Sequence, residues 1–258
     1  MNTFHTRQTL CLTVILAAFV AVSSATAATH TVCASGCDYS SIQTAIDNAS
    51  TGDVLELEPE TFTEGDLWVN LDLTIRSASG MATIDANGDD TVFKILGGNT
   101  VTLEDLRLEG ADWAQILNHG DTTLSTVYVF GFAGATTKGG IFNGVSASLL
   151  ITDASVLSGN ESTGTSTGGG VTNYGDLEIE NSTVTANEGG RGGGVYNYGG
   201  QVSVSSSSFS FNNSTVQGGA WWSSGGSFTF HSSASYSGNT SDGTCDKYWK
   251  NSPVTCVD

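Results

Sequence analysis

The sequence predicts an all-β solenoid, with short strands wound into stacked coils and a short N-terminal helix closing one end. Three observations point there. A Gly-Gly-apolar-x-Asn unit recurs at nearly constant spacing, an alternating apolar/polar segment follows each copy, and the composition disfavours helix. Of 258 residues, 33 are Gly and 2 are Pro, and Ser and Thr make up a quarter of the chain. Gly, Ser and Thr are poor interior helix formers, which argues against a helical bundle. Collagen is excluded because Gly has no period of three and Pro is nearly absent. With 38% hydrophobic residues and five Trp, the chain has enough apolar material to fold.

The repeat is plainest in the second half. Gly169-Gly170-Val171-Thr172-Asn173-Tyr174-Gly175 is echoed by Gly193-Gly194-Val195-Tyr196-Asn197-Tyr198-Gly199. Gly139-Gly140-Ile141-Phe142-Asn143 precedes them and Gly218-Gly219-Ala220-Trp221-Trp222 follows. Steps between matching apolar residues are 25 from Ile116 to Ile141, 30 to Val171, 24 to Val195 and 25 to Ala220. A period near 24 is short for a two-helix repeat and fits three short strands with three turns. Gly pairs supply the turns, since Gly tolerates positive φ.

Each unit continues as strands with one buried face: Val101-Leu103-Leu106-Leu108, Leu124-Val127-Val129, Leu149-Ile151-Val156, Leu177-Ile179-Val184, Val202-Val204-Phe209 and Phe228-Phe230. Asn118, Asn143, Asn173 and Asn197 recur two residues after the apolar residue. Stacked coil on coil, they predict an amide ladder that satisfies buried turn backbone. Roughly eight coils between Val54 and Tyr236 give a shaft of about 40 Å.

The ends have their own signals. Arg7, the apolar run Leu10 to Val22 and the Ala25-Thr26-Ala27 site read as a secretory signal over residues 1–27. No later segment is apolar enough to span a membrane, so a mature chain outside the cytoplasm is expected. Residues 28–52 form the N-terminal cap. Within it, Asp38 to Ala49 reads as a helix with Ile42, Ala45, Ile46 and Ala49 on its apolar face. Ser40 with Gln43 fits a capping box, and Gly52 can end the helix. The coils fill 53–240, and 241–258 is a C-terminal cap with Tyr248 and Trp249.

Four cysteines remain after the signal, one pair near each terminus. Local disulfides, Cys33–Cys37 and Cys245–Cys256, are expected because secretion favours oxidation and an elongated fold holds the two pairs apart. A four-Cys zinc site is the alternative. Sequons begin at Asn48, Asn160, Asn181, Asn212, Asn213 and Asn239, and they matter only in a host that glycosylates.

The repeats, with the helix and the Gly52-Asp53-Val54-Leu55-Glu56-Leu57 run followed by Pro59 and Phe62, resemble right-handed parallel β-helices of the pectate-lyase-like superfamily. The resemblance spans roughly residues 31 to 240 and implies the architecture without fixing an activity. Glu60 stands where that family usually has Gly. Phe209-Ser210-Phe211-Asn212 followed by Gly218-Gly219-Ala220 also resembles the repeats of polymorphic outer-membrane adhesins, whose membrane barrel this chain has no room for.

Charge narrows the function. Asp and Glu number 26 against 8 Lys and Arg, for a net charge of −18, which excludes a nucleic-acid binder. Cations for a lyase base are scarce. Arg107 is the best candidate, placed outward beside Tyr128 by aligning Leu103 with Leu124, with Ser155, Thr183 and Ser208 below it. Asn118-His119-Gly120-Asp121 resembles the His-Gly pair of polygalacturonases, which makes His119 the second catalytic candidate, but the accompanying aspartates are missing. Asp85, Asn87, Asp89 and Asp90 place oxygen ligands at one turn and make a candidate Ca²⁺ site; no other cofactor is expected.

The aromatic residues point to binding. Tyr174 and Tyr198 recur at one position, His119 shares their column, and Trp221 and Trp222 lie a coil further on. Exposed rings at that spacing suit stacking on sugar faces. The sequence therefore predicts a secreted or cell-surface noncatalytic β-helix of the adhesion or scaffold type, contacting an extracellular glycan or protein. The alternative is a polysaccharide lyase or glycoside hydrolase.

Overall fold

The computed structural model describes residues 26–134, 138–241 and 244–245. The predicted signal segment up to residue 25 lies outside the described residues, as do Cys256, the expected partner of Cys245, and the cap residues Tyr248 and Trp249. The chain winds through four sheets with nine, eight, seven and six strands. Every pairing is parallel except the last, Thr240–Ser241 with Thr244–Cys245. After the first strand, Thr29–Val32, each coil visits the nine-, eight- and seven-stranded sheets in turn, and about eight coils stack. From Ala133–Gly134 onward, the six-stranded sheet is inserted before the seven-stranded one. This is the all-β parallel β-helix that the repeat predicts. No helix among the described residues is long and apolar enough to cross a membrane.

Strict alternation builds the core. In Leu73–Ser77, Leu73 and Ile75 are buried while Thr74 and Arg76 face out. Register then stacks like upon like: Leu55, Ile75, Leu103, Leu124, Ile151, Ile179, Val204 and Phe230 pair in succession down the nine-stranded sheet. Each fully buried member contributes about 2 kcal/mol of apolar transfer.

The corners explain one departure from the alternation read in sequence. The chain leaves the nine-stranded sheet through a single left-handed residue in four coils, at Asp105, Thr126, Asn181 and Ser206. In one coil there are two, Asp153 (φ 55°) and Ala154 (φ 63°). The extra residue turns Ser155 into the core, where it is fully buried, and puts Val156 in the outward column between Tyr128 and Thr183. A shift of one residue exchanges the two faces of a strand.

The predicted amide ladder is present. Asn118 Nδ2 donates to Asn143 Oδ1 at 2.8 Å, Asn143 to Asn173 at 2.7 Å and Asn173 to Asn197 at 2.8 Å, and all four side chains are buried. A second ladder runs down the corner between the eight- and six-stranded sheets. Asn160 donates to Asn187, Asn187 to Asn212 and Asn212 to Asn239, each at 2.9 Å. Each amide also reaches a backbone carbonyl of the preceding coil, and each Oδ1 of the last three accepts the backbone N–H of the Asn before it. Buried amides are thus paired on both sides, which is what keeps them from costing stability.

The helix spans Ile42–Asn48 and buries Ile42, Ala45 and Ile46 against the first coil. Its N-cap is Ser41, not Ser40, and accepts from Thr44 N at 3.2 Å. The reciprocal acid comes from the neighbouring coil: Glu64 accepts from the backbone N–H groups of Ile42 and Gln43. The helix ends at Ala49, three residues before Gly52. Beside it, Asp53 accepts from the N–H groups of Ser50 and Ala28 and contacts His30 at 3.1 Å. The hydrogen bonds from Ser50 and then Ala28, with a smaller part from His30, hold its carboxyl below the usual value. Cys33 and Cys37 form the expected disulfide.

Candidate functional site

The outer face of the seven-stranded sheet carries a run of rings that contact one another from coil to coil. Its outward column runs in register through Trp68, Lys94, Leu117, Phe142, Thr172, Tyr196 and Trp222. Inward of it lies the first Asn ladder, so the residue after each Asn falls at the edge of the sheet. His119, Tyr174 and Tyr198 occupy that edge. The two columns form one continuous aromatic layer. Ring centroids are 6.0 Å apart for His119 and Phe142, 5.5 Å for Phe142 and Tyr174, and 5.8 Å for Tyr174 and Tyr198. Tyr196 stacks on Tyr198 at 6.4 Å and on Trp222 at 5.1 Å, with planes within 6° and 4° of parallel.

Exposure within the layer is uneven. Tyr198 is 53% exposed, whereas Tyr196 is 3% exposed. Burial raises the Tyr196 phenol above its ordinary value, and the neighbouring Tyr174 adds to the shift. The long 30-residue step explains the cover. Residues 163–170 lie across this part of the sheet, where Gly168 N donates to Thr172 Oγ1 and Arg191 Nη1 donates to Thr165 O and Ser166 Oγ. Two cations lie on the rings. Lys138 Nζ is 3.5 Å from the Phe142 centroid and 5.2 Å from Trp113, and Arg191 lies 5.3 Å from Trp222. Burial pushes the Lys138 ammonium below its ordinary value.

Of the residues singled out in sequence for binding, Tyr174, Tyr198 and Trp222 meet in this layer. Trp221 does not. It is 8% exposed, pairs in register with Val195 and stacks inside the end of the shaft on Phe228 and Phe230. The step from Val195 is 26 residues, so Trp221 rather than Ala220 continues the buried column. Tyr196 and Phe142, which complete the layer, were legible only as the x of the repeat unit.

The other candidates are scattered. Arg107 does lie beside Tyr128 in register, but its Nε is 2.6 Å from Glu109 Oε2 and its guanidinium covers Phe130 at 4.5 Å. Its neighbours down the column are Val156, Thr183 and Ser208, which supply no second acid or base. His119 is exposed at the edge of the aromatic layer. Asp85 Oδ1 accepts from Asn87 N at 2.8 Å, an ordinary turn hydrogen bond. Asp89 and Asp90 are exposed nearby, and no three His, Cys, Asp or Glu side chains among the described residues are grouped so as to hold a metal ion.

One feature of the outer nine-stranded face was not foreseen, a shallow trough of about 300 Å³. Asp176 and Glu178, two apart on one strand and both outward, line it with Leu150, Gln201, Ser203 and Thr229.

No known family's sequence profile matches the chain, and no curated protein does. Among solved structures, the chain is similar to the crystal structure of pectate lyase Pel9A, with a TM-score of 0.45 and 12% identity over 90% of this chain and 82% of that one.

Proposed function

We propose that the protein is a noncatalytic β-helix, secreted or held at the cell surface, that binds glycan on the aromatic face of its seven-stranded sheet. The observation that carries this reading is the ring layer itself. Tyr198 stands half in solvent, in ring contact with Tyr174 and Tyr196, and Trp222 stacks on Tyr196. A rigid, amphipathic ring platform offers its faces to the C–H side of a sugar at little entropic cost. The Cys33–Cys37 disulfide supports an oxidising compartment. The pairing of Arg107 with Glu109 and its companion residues argue against a base at that position.

The test is binding of the full chain to a panel of extracellular polysaccharides, with Tyr198→Ala and Trp222→Ala beside it. Each substitution is expected to weaken binding about tenfold while the circular dichroism spectrum stays that of the parent. Undiminished binding by both variants would overturn the reading. The trough with Asp176 and Glu178 favours one rival, a glycoside hydrolase using paired carboxylates. Release of reducing ends by the parent, lost in Glu178→Gln, would establish that rival and displace the noncatalytic reading.

A further inference from the structure

We infer that the aromatic face is selective for acidic sugars, taking a glycan whose carboxylate or sulfate groups meet Lys138 and Arg191. The inference rests on the glycan-binding reading and adds the charge of the ligand to it.

Cations are scarce on this part of the shaft. Between residues 108 and 241 the sequence holds nine carboxylates and only two Lys or Arg, Lys138 and Arg191. Earlier in the described chain, each Lys or Arg is neutralised: Arg76 by Glu56, Lys94 by Asp66 and Arg107 by Glu109. Lys138 and Arg191 have no carboxylate within ion-pair distance among the described residues. In so acidic a chain, two unneutralised cations on one face are unexpected if their role were only to balance surface charge. Both instead lie against the same ring layer, one over Phe142 and the other over Trp222.

Their separation matches an extended ligand. Phe142 and Trp222 are three inter-strand steps apart along the sheet, about 14 Å, and Tyr174 and Tyr198 lie between them at the edge. A short oligosaccharide laid along the rings would present acidic groups at both ends to an ammonium and a guanidinium. The Lys138 ammonium is partly desolvated, which strengthens a charge-assisted hydrogen bond. Arg191 spends Nη1 on the loop at Thr165 and Ser166, and its buried Nε has no acceptor among the described residues. Elsewhere the surface repels anions, so discrimination would come from this pair.

The experiment measures binding of the full chain to matched oligosaccharides in chelator: a polyuronate and its carboxyl-reduced form, and a sulfated chain and its desulfated form. The acidic member of at least one pair is expected to bind about tenfold tighter than its neutral partner. Lys138→Gln is expected to remove most of that difference. Arg191→Lys, which keeps the charge, is expected to retain it. The uronate and sulfate arms identify which group is read. Equal binding of acidic and neutral members, lost in Tyr198→Ala, would overturn the inference and leave the glycan reading intact. Binding by none of the four would overturn both.

Discussion

The two halves of the shaft share one winding but are held by different chemistry. Up to residue 117 the interior is almost wholly aliphatic and aromatic. Only four buried polar residues are found there among those described: Asp53, Ser77, Thr91 and Gln115. From Asn118 onward there are seventeen, most of them Asn, Ser and Thr at corners. Among the described residues the ion pairs divide the same way, with all four in the first half. A solenoid coil therefore needs in-register side chains that satisfy one another, and either hydrocarbon or a hydrogen-bonded amide meets the need. The difference lies in tolerance. Hydrocarbon is non-directional and adapts, whereas an amide in a ladder serves two neighbours and cannot be replaced by shape alone.

That contrast can be broken most severely within the second ladder. Asn187 accepts from Asn160 Nδ2 and N and donates to Leu157 O and Asn212 Oδ1. Asn187→Leu should cost about 4 kcal/mol, because it strands polar groups on both sides. Chemical denaturation would measure it, and a loss under 1 kcal/mol would mean the ladder is dispensable. Leu103→Ala, in the hydrocarbon half, should cost about 3 kcal/mol through its cavity. Tight backbone approach gives a third point. A Cβ at Gly169 would come within 2.6 Å of the backbone of Glu188 in the next coil, so Gly169→Ala should lower the melting temperature by more than a surface Gly→Ala change.

At the capped end the contrast is electrostatic. The Asp53 carboxyl is lowered in the folded chain, so its stabilisation is complete above its unfolded value, about pH 4, and is lost as pH falls through the folded value. Asp53→Asn should lower stability at neutral pH and flatten that acid limb in pH-dependent melting. An unchanged limb would show that other carboxylates set it. The smallest expected effect on stability is that of Tyr198→Ala, within about 0.5 kcal/mol, at the residue whose loss should matter most to binding.

How far the sequence reveals this molecule depends on how regular each feature is. The winding, the buried strand faces and the first ladder were readable because Gly-Gly-apolar-x-Asn fixes register from coil to coil. The second ladder was not. Its members follow a lone left-handed residue, Gly159, Ala186, Phe211 or Gly238, and three different residue types at that position hide the repeat. Ser155 and Trp221 were misplaced for one shared reason. A single added residue, in the Asp153–Ala154 corner and in the 26-residue step to Trp221, exchanges inside for outside. The aromatic layer was half visible: Tyr174 and Tyr198 sit at a fixed position of the repeat, but their contact with Phe142, Tyr196 and Trp222 depends on curvature that spacing does not encode. The role of Lys138 and Arg191 was invisible for the same reason, since a cation without a partner can be recognised only once its neighbours are known.

The second ladder also bears on how the chain can be made. Asn160, Asn212 and Asn239 each begin an Asn-x-Ser sequon and each is buried in the shaft. Oligosaccharide transfer in a eukaryotic secretory pathway acts on the emerging polypeptide, before coils have stacked. A sugar placed on any of these amides would occupy the space of the next coil and take away the N–H that holds it. The exposed sequon at Asn48 would accept the same modification harmlessly. Production in a host that lacks this transferase should give folded protein, and in a host that has it, replacing the Ser of each ladder sequon should restore the yield.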